Sequence, residues 1–159
     1  MPKLNIIQDT REQTPWHFDQ SLVNVTVGTL STADYALKGD DSFGIERKSL
    51  GDFVGTISTG WQRFKREIQR MHSWDAKVII VESNYLDCCY TEENGKVIPP
   101  VHNHYMIEPQ FIMKQIAILT LMNVSVLFAH DAQHASHLAY VIFKERHEAL
   151  RRCDGKAQD

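Results

Sequence analysis

The chain has 159 residues, 43% of them hydrophobic and 23% charged, enough apolar material for one buried core without disulfide or metal staples, so one domain is expected. No apolar run approaches the ~20 residues of a membrane span, and the start MPKLNIIQD lacks the apolar segment and cleavage site of a secretory signal, which together give an intracellular protein with no membrane partner as the expectation. A net charge of −3 argues against non-specific wrapping of nucleic acid, and three cysteines without framework spacing (Cys88, Cys89, Cys153) agree with a reducing compartment.

Taken in order, Leu4 to Gln8 reads as a short strand that exits through DTREQTP, where Pro15 blocks helix continuation. Alternating valines predict a second strand over Val23 to Leu30. Asp34 to Lys38 and Phe43 to Lys48 flank the turn-rich Gly39-Asp-Asp-Ser42 and predict a β-hairpin. Ser49 followed by Asp52 is a capping box that opens a helix. Trp61, Phe64, Ile68 and Met71 recur at helical spacing, leaving Arg63, Arg66 and Arg70 on other faces. Lys77-Val-Ile-Ile-Val-Glu82 carries consecutive aliphatics, as a strand covered on both sides does. Residues 84–108 show no clear period and are expected to form a long loop or excursion. Phe111 to Met122 predicts an apolar helix, Val124 to Ala129 a buried strand, and Ala132 to Arg152 a long final helix. This order predicts an α/β fold with a mixed sheet in a single domain over 1–152, followed by a polar tail at 153–159.

The chemistry concentrates in Gly44-Ile-Glu-Arg-Lys48. Glu46 and Lys48 are two apart and share one face of a strand, whereas Arg47 points away. Pairing Ala36 with Gly44 sets Asp34 opposite Glu46, and a one-residue slip would send it to the other face. Two carboxylates meeting on one face repel unless a cation lies between them. Hard oxygen ligands of this kind suit Mg²⁺, which takes one or two protein carboxylates and otherwise keeps waters and phosphate oxygens. Local charge points the same way: from Glu46 to Lys77 there are seven basic residues (47, 48, 63, 65, 66, 70, 77) against four acids (46, 52, 67, 75).

Asp34 with Glu46-x-Lys48 resembles the catalytic pattern of the PD-(D/E)xK nuclease superfamily. The fuller string, D-x-R-E at 9–12, A-D-Y at 33–35 and E-R-K-x-x-x-D at 46–52, is similar to the XPF-type branch of structure-selective endonucleases, and the likeness continues through Arg63 and the V-I-I-V-E segment ending at Glu82. The resemblance implies a restriction-endonuclease-like mixed sheet flanked by helices. It also implies an Mg²⁺-dependent endonuclease, with Mn²⁺ as a substitute, that hydrolyses phosphodiesters in branched or single-strand/duplex junction DNA during repair or recombination. Asp34 and Glu46 would be metal ligands, Asp9 a further ligand, Glu12 another acidic member of the site, and Lys48 a water-positioning base or electrostatic catalyst. Arg11, Arg47, Asp52, Arg63, Arg66 and Arg70 would bind DNA or support the site. The family usually has glycine before the aspartate; Ala33 is a mild change if its dihedrals are ordinary. The 159 residues contain no helix-hairpin-helix module or helicase, so a stand-alone domain is expected, with a helicase or recombination protein as a separate partner. The localisation implied is cytoplasmic, or nucleoid-associated for a prokaryotic or viral protein.

Phe111 to Met122 is apolar on more than one face, which together with the family habit of pairing through nuclease domains implies a homodimer. Other readings compete at several positions. Glu46 with Lys48 alone could be a plain cross-sheet salt bridge. Asp52 has a sufficient role as a cap, and Arg47 could be solvated, contact phosphate or hold an acidic neighbour. The whole chain could be a catalytically inert nuclease-like module that binds DNA or protein. Cys88 and Cys89 with His102 and His104 lack the paired spacing of zinc sites, which makes a zinc-stabilised interaction domain the weaker alternative.

Overall fold

The computed structural model describes residues 3–98 and 107–156. In chain order the elements are β1 (Leu4–Asp9), β2 (Val23–Gly28), β3 (Tyr35–Leu37), β4 (Phe43–Lys48), α1 (Leu50–Ile57), α2 (Trp61–Arg70), β5 (Ala76–Val81), α3 (Tyr85–Cys89), β6 (Thr91–Glu93), β7 (Lys96–Ile98), α4 (Pro109–Leu121), β8 (Val124–Phe128) and α5 (Ala132–Lys156). Six strands form one sheet in the order β2-β1-β3-β4-β5-β8, and β6 with β7 makes a separate ribbon. The sheet is mixed: β3 is antiparallel to β1 and β4, while β1–β2, β4–β5 and β5–β8 are parallel. No described helix is long and apolar enough to cross a membrane.

Both faces of the sheet are covered, which explains the consecutive aliphatics of β5. Val78 and Ile80 enter one core and Ile79 and Val81 the other. On the first face α5 presents Ala135, Ala139 and Phe143, one turn apart and fully buried, and the two alanines let the helix settle close to Phe43, Ile45 and Ile80. On the second face lie Phe53, Val54 and Ile57 of α1, Phe64 and Ile68 of α2, and Ile112 and Leu119 of α4. Each such buried side chain contributes about 1.5–3 kcal/mol relative to exposure. Ser49 caps α1 as the sequence predicts, its Oγ accepting from Asp52 N at 3.1 Å and donating to Asp52 Oδ2 at 2.7 Å.

The β3–β4 turn is tied down from α5. Arg146 Nε donates to Asp40 Oδ2 at 2.7 Å, and its Nη2 donates to Asp75 Oδ2 at 2.7 Å and to Ser42 Oγ at 2.8 Å. One guanidinium thus joins the hairpin turn to the entry of β5 and raises its own pKa through the Asp40 hydrogen bond.

Several expectations change. The final helix runs on to Lys156, past the predicted end at Arg152, and β2 stops at Gly28. The 84–108 excursion holds α3 and the β6–β7 ribbon, whose turn is Asn94-Gly95 with φ of 52° and 73°. Asn-Gly is a strong hairpin signal that a reading based on periodicity passes over. Cys88 and Cys89 are fully buried in the second core, and burial pushes the Cys88 thiol up to about 12, so it packs as a neutral thiol. His102 and His104 lie outside the described residues.

Ala33 does not have ordinary dihedrals: its φ is 69°, in the left-handed region. Its methyl group also faces β4, where a Cβ added to Gly44 would meet Ala33 Cβ at 2.7 Å and the Trp74 ring at 2.9 Å. Gly44 is therefore the residue that makes room for an alanine before Asp34. Ala33→Gly is expected to raise stability by about 0.5–1 kcal/mol in urea unfolding, by relieving left-handed strain. Gly44→Ala should cost about 1–3 kcal/mol as an overpacked contact, and part of that loss should return in the double variant.

Candidate active site

The charges at 46, 47 and 48 alternate across the sheet. On one face Lys48 Nζ donates to Glu46 Oε1 at 2.7 Å. On the other Arg47 makes a bidentate pair with Glu82, Nε to Oε1 at 2.6 Å and Nη2 to Oε2 at 2.9 Å. Its Nη1 donates to Glu12 Oε1 at 3.1 Å and to Thr14 Oγ1 at 2.6 Å. Glu82 Oε1 also accepts the Trp16 indole N–H at 2.6 Å, and Trp16 stacks on Tyr35 with ring centroids 4.7 Å apart. Of the three roles open to Arg47, holding acidic neighbours is the one this geometry takes.

Tyr35 pairs with Ile45, the register that sets Asp34 opposite Glu46. The backbone N–H of Arg47 donates to Asp34 Oδ2 at 2.8 Å. One residue thus serves both faces: its guanidinium is anchored below the sheet, and its amide orients the Asp34 carboxylate above. Burial and then the negative charge of Glu46 push Asp34 up to about 7, outweighing the opposing pull of the Arg47 amide and Lys48. For Lys48, burial acts to lower the pKa, but Glu46 and Asp34 outweigh it, and the side chain remains an ammonium.

The remaining sequence-predicted residues divide. Asp9 falls opposite Asp34 in the β1–β3 register, its N–H bonding Asp34 O at 2.8 Å. Its carboxylate, however, is fully engaged: it accepts from Arg11 N at 2.9 Å, Arg11 Nε at 2.6 Å, Arg11 Nη2 at 3.2 Å and Leu30 N at 2.7 Å. The Arg11 side chain is the main reason that Asp9 is held down at about 2. Asp9 ties the β1 exit to the loop before β3 and aims Arg11, which lines the cavity beside Asp34. Glu12 is not brought to that cavity; it belongs to the Arg47 cluster. Arg63 and Arg70 line the cavity along with Arg11, whereas Arg66 is exposed on α2 and is not among the lining residues. Asp52 is exposed and engaged in capping, and it borders a second, open groove.

The cavity measures about 280 Å³ and has Asp34, Glu46 and Lys48 among its walls. The groove, about 600 Å³, lies between α1 and α2 and shares Lys48 and Arg63 with the cavity; Gly51, Asp52, Gly55, Thr56, Thr59 and Gly60 complete it. Sequence reasoning left Trp16, Trp74 and Lys77 out of the site and treated Glu82 only as a strand end. Their roles depend on pairing across 66 positions of sequence for Trp16 with Glu82, which no local pattern shows.

Two carboxylates on one face, one with its acidity suppressed by burial and then by the other's charge, form a donor set that fits a hard divalent cation. The raised pKa of Asp34 means that its contribution to stability is full below about pH 4 and is lost as pH rises through about 7. Asp34→Asn is therefore expected to stabilise the cation-free protein by about 1–3 kcal/mol at pH 8 and hardly at all at pH 4, measured by urea unfolding at both values. Added Mg²⁺ should raise the melting temperature of the wild type at pH 8 and leave that of the variant unchanged. Glu82→Ala, which removes the bidentate partner of a nearly buried guanidinium and leaves it only Glu12 and Thr14, should cost about 2–4 kcal/mol.

Comparison with known proteins supplies independent information. XPF from Aeropyrum pernix superposes with a TM-score of 0.66 at 19% identity, over 95% of this chain and 69% of that one. XPF from Aeropyrum pernix in complex with DNA gives a TM-score of 0.61 at 22% identity, over 98% and 66%. The chain thus spans about two thirds of the length of these structures, and the likeness shows the shared fold. No curated protein matches it by sequence. The family model for the ERCC4 domain matches residues 8–142, a span that takes in Asp34, Glu46, Lys48, Arg63 and Glu82, and the chain belongs to that family.

Proposed function

We propose that this domain is a divalent-cation-dependent DNA endonuclease acting on branched or single-strand/duplex junction DNA. The observation that carries this reading is the meeting of Asp34 and Glu46 on one face, with the Lys48 ammonium 2.7 Å from Glu46, at a cavity flanked by Arg11, Arg63 and Arg70. Asp34 and Glu46 would hold Mg²⁺ or Mn²⁺, which supplies charge neutralisation at the phosphate and makes a water more acidic.

The protein's own groups supply the rest. Lys48, charged and held by Glu46, donates to a phosphoryl oxygen on which negative charge develops, an electrostatic role rather than that of a base. The Arg47 amide keeps Asp34 in one orientation, and the Glu82 and Glu12 anchors keep Arg47 from turning. The groove between α1 and α2, with glycines along its wall, lets a sugar-phosphate strand approach the backbone closely, and Arg63 lies where it could pair with a phosphate next to the scissile one. Asp9 acts through Arg11 rather than as a ligand.

Pairing of two copies through α4 is part of the same proposal. Its Ile112 and Leu119 face the core, while Leu121 is 84% exposed and Phe111 36% exposed. Mass measured at rising concentration should show a dimer that Leu121→Glu abolishes; a wild type that stays monomeric would remove this part. For the activity, labelled single strand, duplex, flap and four-way junction are incubated with Mg²⁺ or with chelator. Cleavage of the branched substrates is expected only with the metal, and Lys48→Ala should lower kcat at least about 100-fold. Activity that persists in chelator, or in Lys48→Ala, would overturn the assignment.

A further inference from the structure

The cavity bordered by the two carboxylates is larger than a cation and its waters need, and apolar side chains share its mainly polar lining. Phe64 and Ile68 of α2 and Ile79 and Val124 of the sheet close it, with Trp74 on one side. At about 280 Å³ it lies near the lower end of the range for small-ligand sites, room for one planar ring system with its sugar. Within this wall sits Lys77, only 7% exposed. Among the described residues its ammonium has no hydrogen bond or ion pair. The register explains its position: Lys77 pairs with Gly44 on β4 and Val124 on β8, so it stands one step along the sheet from the Glu46–Ile79 row, on the same face, beside a residue with no side chain. Trp74 packs over that same glycine.

The stem of Lys77 is buried while its nitrogen is not sealed from solvent, so the cavity presents a donor without a protein partner to whatever enters it. The acids that border the cavity are Asp34, Glu46 and Glu67, and Glu46 is already paired with Lys48. An aromatic ring, a few apolar side chains and an unmatched donor next to a phosphodiester site together describe a nucleobase subsite, a planar apolar face with polar edges. We propose that the cavity takes one unpaired nucleotide of the bound DNA strand, its base against Trp74 and an acceptor atom of that nucleotide on Lys77. This rests on the nuclease reading for the strand's presence and adds the reason for a junction preference: a nucleotide already free of its partner enters without the cost of being pulled from a duplex.

Binding in the presence of chelator tests this independently of cleavage. Fluorescence anisotropy is measured for a short labelled single strand, the same strand carrying abasic sugars, and a blunt duplex, against wild type, Lys77→Met, Trp74→Leu and Trp74→Phe. Stacking on an aromatic side chain makes the expected loss about 5- to 100-fold for the single strand in Lys77→Met and Trp74→Leu, with Trp74→Phe near wild type. Duplex affinity should be unchanged, and the abasic strand should bind wild type as weakly as the intact strand binds the two variants. Lys77→Met keeps the buried stem and removes a donor that has no protein partner, so its melting temperature should be no lower than that of the wild type. The proposal is overturned if both variants bind the single strand like wild type, if the abasic strand binds wild type equally well, or if duplex binding falls in parallel. Base-dependent binding without any Mg²⁺-dependent cleavage would remove the nuclease reading and leave the base subsite standing.

Discussion

Two negative charges on one face of a sheet repel, and the fold holds them there. Asp34 and Glu46 are brought opposite each other by the pairing of Tyr35 with Ile45, and burial, then the charge of Glu46, pushes Asp34 up to about 7. A fold built only for stability would relax such a contact. Here the hairpin turn is fixed by Arg146, the edge of β3 by Asp9, and the amide of Arg47 by a bidentate pair on the opposite face. The strain is local, and the restraints on it come from three different elements.

Division of labour along β4 follows from strand geometry. Because side chains alternate, the Glu46-Arg47-Lys48 triplet delivers two groups to the site and one to the support beneath it. The support is a connected set: Arg47, Glu82, Glu12, Thr14, Trp16 and Tyr35 are linked by hydrogen bonds or stacking. Such a network is rigid only when fully satisfied, since a missing partner leaves a charge uncompensated in a poorly hydrated place. Its link to Asp34 is one amide, the N–H of Arg47, which donates to the Asp34 carboxylate. Above the sheet, α2 plays a double role, closing the second core with Phe64 and Ile68 while directing Arg63 and Arg70 along the cavity rim.

Much of this was legible in the sequence because it depends on short-range pattern. The spacing of Glu46 and Lys48, the Gly39-to-Ser42 turn and the Ser49–Asp52 cap each involve residues within a few positions, and together they fix the β3–β4 register and the start of α1. The aliphatic run of β5 announced a strand buried on both faces. Whatever depended on distant partners was not legible. Asp9 looks like a ligand by position, but its oxygens go to Arg11 and Leu30, 2 and 21 residues away. Glu82 looks like a strand end until Trp16 and Arg47 are seen to converge on it. The left-handed backbone of Ala33 was invisible as well, because alanine gives no hint of it; only the absence of a side chain at Gly44 records the accommodation.

The most direct test of the central claim is a titration of the Asp34 carboxyl carbon by NMR in the presence and absence of Mg²⁺. A carboxyl buried beside Glu46 gives a midpoint near 7 without the ion, displaced below the ordinary carboxylate value of about 4 when the ion binds. A midpoint near that ordinary value in both conditions would contradict the account, because it would mean that Asp34 is neither buried beside Glu46 nor in contact with a cation.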